Sequence, residues 1–200
     1  MHIEASQKSL KSQLRKQLRR RRAAVNEDIR KRWDRSINQA LVDLARHTCP
    51  LTVAAYLAFD GEPDLAPALA ELDRRGIRLA LPVVQHLPGK SAITFHAWKS
   101  GDALKANRYG IAEPVEAPLV PVPDIDLMLV PLVGWDKQGG RLGMGASFYD
   151  RMFQPFAGLE KPARMGVAYE LQKVSAVPCE PWDIRLHGIL TENGWFTFQR

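Results

Sequence analysis

The chain has 200 residues, 46% hydrophobic and 25% charged, which is ordinary globular composition and enough for one substantial core. It has no run of eighteen apolar residues and no apolar stretch within its first 22 residues, so neither a membrane span nor a secretory signal is expected. Its net charge of +6 is uneven: residues 8–35 hold twelve Lys/Arg against three Asp/Glu, a local +9 that leaves −3 elsewhere. In chain order, Leu10, Leu14 and Leu18 recur every four residues and predict a first helix. Asn26, followed by Glu27 and Asp28, is a helix cap with acids in the first turn. Ile29, Trp33, Ile37, Leu41 and Leu44 carry that second helix to a stop before Pro50. "TVAAYLA" (52–58) predicts a buried strand and "FDGEPD" a turn. Residues 64–75 predict a helix capped by Asp64 and closed by Gly76. Strands are predicted at 77–84, 92–98, 126–131 and 164–169, a helix at 147–157, and a closing segment at 188–198. The Pro-rich stretch 113–125 reads as a crossing loop.

Strands separated by helices imply an α/β fold: a mainly parallel sheet with helices on both faces. Residues 1–200 form a single domain in this reading, with 1–48 as N-terminal helices packed on the core. Cys49 and Cys179 stand far apart, and His2, His47, His86, His96 and His187 show no metal-ligand spacing. Disulfides and zinc clusters are therefore not expected, and a reducing cytoplasm fits.

In open α/β sheets, ligands collect at the carboxyl ends of the strands. The segment after strand 126–131 should emerge at such an end, and it carries "RLGMGASFYD" (141–150). Gly139, Gly140, Gly143 and Gly145 allow close backbone approach, Arg141 offers a planar fork of donors, and Asp150 is a candidate Mg2+ ligand. The stretch is not a Walker A loop, and "GMGASF" lacks the third Gly of a dinucleotide fingerprint. On composition it reads equally as a ligand loop or as a structural Gly-rich turn. Lys11, Arg15, Arg19 and Arg22 share one helix face, either solvated or bent over a bound anion. Glu62 and Asp183 are single acids in turns, without meaning by themselves.

Taken in order, these pieces resemble the 5-formyltetrahydrofolate cyclo-ligase family, also called 5,10-methenyltetrahydrofolate synthetases. The matching elements are "KSQLR" (11–15), "YLAFDGEPD" (56–64), "LPVV" (81–84), "YGIAEP" (109–114), "LMLVPLVGWDKQGGRLGMGASFYDRMF" (127–153), and "GVAYELQ" with "PWDIRLHGILTENG" near the end. They keep their order across nearly the whole chain. The resemblance implies a three-layer, Rossmann-like fold. It also implies ATP-dependent cyclisation of 5-formyltetrahydrofolate to 5,10-methenyltetrahydrofolate, releasing ADP and phosphate by way of a phosphorylated formyl group.

The resemblance also implies roles. Lys11 and Arg15 would contact ATP phosphates. Arg141, Leu142, Gly143, Met144, Gly145, Ala146, Ser147, Phe148 and Tyr149 would form the ATP loop, with Arg141 and Tyr149 in the catalytic set. Leu57, Glu62, Met144, Gly145 and Phe148 would bind the folate, Glu62 taking the N–H groups of its pterin. Asp150 and Asp183 would hold Mg2+. The implied partners are small molecules; a monomer is expected, with no membrane and no nucleic acid. Several positions depart from the family pattern. Ala146 and Ser147 stand where many members have Gly or Lys, Met144 where others have a base, Phe148 where Tyr is frequent, and Trp182 where His is common. Two alternatives follow from the same residues: a nucleotide- or folate-binding relative without turnover, and a nucleic-acid binder using the Arg-rich helix.

Overall fold

The computed structural model describes residues 2–87, 90–180 and 182–199, and the side chains of these except 2–6, 86, 87 and 90. Pro181 of the "PWDIRL" stretch and the side chains of His2 and His86 thus lie outside the described residues. The elements run α1 (His2–Ala23), α2 (Glu27–Thr48), β1 (Thr52–Ala54), α3 (Ala66–Arg74), β2 (Arg78–Leu87), β3 (Lys90–Trp98), β4 (Leu104–Ala106), β5 (Ala112–Pro114) and β6 (Leu119–Val120). They continue β7 (Leu127–Pro131), β8 (Gly134–Trp135), β9 (Arg141–Leu142), α4 (Phe148–Phe153), β10 (Ala163–Val167), β11 (Gly188–Thr191) and β12 (Gly194–Thr197).

The main sheet has the order β12-β11-β10-β7-β1-β2-β3-β6. Its centre, β11-β10-β7-β1-β2, is parallel throughout. The flanks are antiparallel: β12 pairs β11, β3 pairs β2, and β6 pairs β3. Both faces of the centre are buried, so its strands are mostly apolar runs rather than alternating, with Thr52, Arg164 and Thr191 as buried polar exceptions. Successive residues face opposite sides. Val53, Ala55, Leu127, Leu129 and Val167 join the core under α2 and α3, which contribute Ile37, Leu41, Leu69 and Leu72. Ala54, Met128, Val130 and Ile189 join the core on the other face, with Phe153 of α4, Leu132, Trp135 and Leu186. That face has one short helix, α4, and connecting segments supply further cover through Ile125, Leu132 and Leu186.

Local chemistry explains the boundaries that matter. Asn26 accepts the Asp28 N–H and starts α2, and Cys49, in the left-handed region, ends it before Pro50. The Asp64 carboxylate accepts the Ala66 N–H at the start of α3. Three expectations are corrected. The strand predicted for 52–58 stays in the sheet only to Ala54, because both its neighbours leave the ladder there. The helix predicted for 147–157 is α-helical only to Phe153 and then tightens into a 3-10 turn over Gln154–Phe156, where Pro155 cannot donate. The 113–125 loop contains part of β5, all of β6 and a 3-10 turn at Val122–Asp124.

The first helix does not pack on a broad face of the sheet. It crosses the carboxyl end, where Leu14 and Leu18 meet Val133, Leu142 and Val177. Leu10, the third member of the predicted stripe, is exposed. The approach is close: a methyl group at Gly134 would lie 2.5 Å from Leu18 Cδ1.

Candidate functional site

In the parallel core, β1 lies between β2 and β7, and the chain runs outward from it in both directions. The crevice beyond the carboxyl ends of β1 and β7 is therefore the topological switch point, where such sheets bind ligands. β1 delivers the turn 59–62 there. β7 delivers the β8–β9 hairpin, in which Gly134 opposes Leu142 and Trp135 opposes Arg141.

The glycine-containing segment 136–147 divides at that hairpin. Buried Asp136 folds the 136–140 loop: its Oδ1 accepts the N–H groups of Gln138 (2.9 Å) and Gly140 (2.8 Å), and its Oδ2 accepts that of Val177 (2.8 Å). A methyl group on Gly140 would sit 2.4 Å from Asp136 Oδ2, so this half of the stretch is structural. The second half opens outward. Met144, Gly145, Ala146 and Ser147 are exposed, and Gly145 has φ +109°, with the Arg15 guanidinium nearby. Leu142 is buried, and Gly143, Phe148 and Tyr149 are half-buried.

The basic face of α1 turns toward this loop and its neighbours. Lys11 Nζ donates to Asp183 Oδ2 (2.8 Å) and lies 3.9 Å from Glu180. Arg15 Nε donates to the Gly143 carbonyl (2.7 Å). Arg19 and Arg22 both hold the Asp60 carboxylate, at 2.8 and 3.0 Å. Arg141, at the start of β9, forms a close ion pair with Asp150 of α4, and its Cζ lies 5.7 Å from the centre of the Tyr149 ring. Its buried Nε has no hydrogen-bond partner among the described residues. Burial lowers the pKa of Arg15, an effect that Asp183 opposes. Lys11, Arg15 and Arg141 are thus each engaged by a protein oxygen.

Glu62 closes the other side. Its carboxylate accepts the Phe59 N–H (3.2 Å), and burial pushes its pKa up to about 7, against the pull of Arg22. Burial and the Glu62 charge push the Tyr149 hydroxyl above its ordinary range, which ties Glu62 electrostatically to the residue that follows the Gly-rich loop. Leu57 is partly buried against the core under α2.

The structure thus gathers Lys11, Arg15, Gly143 and Asp183 directly, pairs Arg141 with Asp150, and links Tyr149 to Glu62. Among the described residues no group of three or more His, Cys, Asp or Glu is arranged to hold a metal ion; Asp150 is held by Arg141 and Asp183 by Lys11. One site-forming residue escaped the sequence reading, and another was seen there only as one of four bases on the α1 face. Asp136 carried a usable signal, since Asp two residues before a bonded N–H and four before a Gly is an Asx-turn pattern. Arg22 carried little beyond its place on the helix face. Two cavities, of about 400 and 460 Å3, lie elsewhere, beside α2–α3 and beside β4–β5, and neither is lined by the Gly-rich loop.

A doubly wound α/β domain with a cationic helix laid over a Gly-rich loop at its switch point belongs to the class that binds anionic small molecules there. The comparisons narrow this class. The model of the 5-formyltetrahydrofolate cyclo-ligase family matches residues 7–192, and the chain belongs to that family. It is 31% identical over 182 residues to the 5-formyltetrahydrofolate cyclo-ligase of Haemophilus influenzae, covering 90% of this chain and 96% of that one. It is 33% identical over 176 residues to the protein of the same name from Escherichia coli, covering 87% and 96%. The NMR structure of Aquifex aeolicus 5,10-methenyltetrahydrofolate synthetase superposes with a TM-score of 0.81 at 31% identity, covering 96% of this chain and 94% of that one.

Proposed function

We propose that this protein catalyses the ATP-dependent cyclisation of 5-formyltetrahydrofolate to 5,10-methenyltetrahydrofolate. In this reading the formyl oxygen attacks the γ-phosphorus of ATP and ADP leaves. N10 then attacks the activated carbon, and loss of phosphate completes the ring. The substrate supplies both nucleophiles, so the protein's task is to hold two anions in line and to neutralise the transferring phosphoryl group.

The observation that carries the reading is the convergence of α1 on the loop, with Arg15 hydrogen-bonded to Gly143 and Lys11 to Asp183. Lys11, Arg15 and Arg141 would exchange their present partners for phosphate oxygens, with Gly143–Ser147 lining the triphosphate. Asp150 and Asp183, released from Arg141 and Lys11, would hold Mg2+. Carboxylate oxygen is the donor type that suits this hard cation. When bound, the ion would neutralise charge on the β- and γ-phosphates. Glu62 would accept hydrogen bonds from the pterin, with Leu57 and Phe148 against its apolar surface and Met144 and Gly145 at the junction of the two ligands. In this reading the protein acts as a single-domain monomer on small molecules of the cytoplasm.

The test mixes folded protein, Mg-ATP and 5-formyltetrahydrofolate and follows the near-ultraviolet absorbance of the methenyl product. An ATP-dependent rise is expected. No rise from protein that binds ATP would replace catalysis with binding alone.

A further inference from the structure

Arg22 sits in the last turn of α1 and is 1% exposed, yet it belongs to neither proposed ligand set. Its Nη2 donates to the Asp60 carbonyl (2.8 Å) and to Asp60 Oδ2 (3.0 Å), and its Nη1 reaches the carbonyl of Leu132, just past β7, at 3.4 Å. Its Nε is buried without a partner among the described residues. One guanidinium therefore joins three pieces: the helix that carries Lys11 and Arg15, the turn that follows β1, and the exit of β7. The turn needs such a tie. Asp60 and Gly61 are consecutive left-handed residues, at φ +54° and +76°, and the sheet ladder has already ended at Ala54. Left-handed Asp is tolerated but not favoured, so outside contacts must hold it. Glu62 is the next residue.

We propose that Arg22 is a positioning residue for substrate binding, fixing the Asp60–Glu62 turn so that the Glu62 carboxylate faces the folate ring. The proposal rests on the reading that Glu62 binds that ring. Arg22 is a cation acting on Glu62 from α1; Tyr56 beyond β1, Tyr149 on α4 and Asp60 in the same turn are the other titratable groups in electrostatic contact with it. A lysine retains the charge but lacks the planar fork that spans Asp60 and Leu132. Glutamine lacks both.

The test uses the full chain and three variants, Arg22→Lys, Arg22→Gln and Glu62→Gln, measuring KM for each substrate and the pH dependence of kcat/KM for 5-formyltetrahydrofolate. Arg22→Lys should raise the folate KM by about tenfold, the scale of losing charge-assisted hydrogen bonds, with the ATP KM little changed and the acidic limb unmoved. Arg22→Gln should do the same and also move that limb to higher pH. Adding Glu62→Gln to Arg22→Gln should cost less than the product of the single effects, as expected for residues acting as one unit. If Glu62→Gln alone leaves the folate KM unchanged, the underlying substrate reading fails. If Glu62→Gln impairs folate binding while the Arg22 variants do not, or if they raise both KM values equally with the pH limb unmoved, the positioning role is overturned.

Discussion

Replacing Glu62 with Gln should make the protein more stable at pH 8 and less active. The carboxyl is pushed from 4.5 up to about 7, first by burial, with Asp60 adding to the shift and Arg22 and the Phe59 N–H opposing it. Below pH 4.5 the group is neutral both folded and unfolded, so it costs nothing. Between 4.5 and 7 the unfolded chain gives up its proton while the folded chain keeps it, so stability falls as pH rises. Above 7 the penalty is constant. At about 1.4 kcal/mol per pH unit it reaches about 3 kcal/mol at most. The amide keeps an oxygen to accept the Phe59 N–H and has no charge to desolvate. Urea unfolding of both proteins at pH 4.5 and pH 8 should give nearly equal stabilities at the lower pH and a gain of up to about 3 kcal/mol for Glu62→Gln at the higher. An equal gain at both pH values, or a loss at pH 8, would refute the buried-charge argument. The activity of the parent protein should fall as the pH drops below 7, because a neutral Glu62 is a weaker acceptor for the pterin.

Three further outcomes follow from the geometry. Arg141→Ala should cost about 2–4 kcal/mol in kcat/KM for ATP, the size of one preorganised charge contact, and unchanged steady-state kinetics would remove Arg141 from the site. Gly134→Ala places a methyl group against Leu18 and should cost about 1–3 kcal/mol of stability and raise the KM for ATP by lifting α1. Thermal unfolding and ATP titration check it, and unaltered values would show that α1 is not seated by this contact. Asp136→Ala orphans three N–H groups and should cost about 3 kcal/mol or more in urea unfolding, and a neutral result would mean that the 136–140 loop is held by other means.

The elements most readable from sequence were those with local chemistry. The cap at Asn26, the Pro after α2, and the apolar runs at 77–84 and 126–131 all act over a few residues, and each element formed near its predicted bounds. The antiparallel β2–β3 and β3–β6 pairings were not readable, since strand direction depends on partners distant in sequence. The same distinction governs the site. Family spacing singled out Lys11, Arg15, Arg141 and Asp183, and the fold brings Lys11 to Asp183 and Arg15 to the loop. On the face of α1 that composition left between solvent and anion, Arg22 is buried, Lys11 and Arg15 are half-buried and Arg19 is exposed. Nothing local to "RRRR" separates Arg22 from Arg20 or Arg21; the carbonyls of Asp60 and Leu132 do.

A structure of the protein with Mg2+, a non-hydrolysable ATP analogue and 5-formyltetrahydrofolate tests the central claim most directly. The account predicts the γ-phosphate among Lys11, Arg15 and Arg141, and the pterin on Glu62, with the formyl oxygen in line with the γ-phosphorus. Phosphates bound away from residues 141–147, or a folate ring that does not reach Glu62, would contradict it.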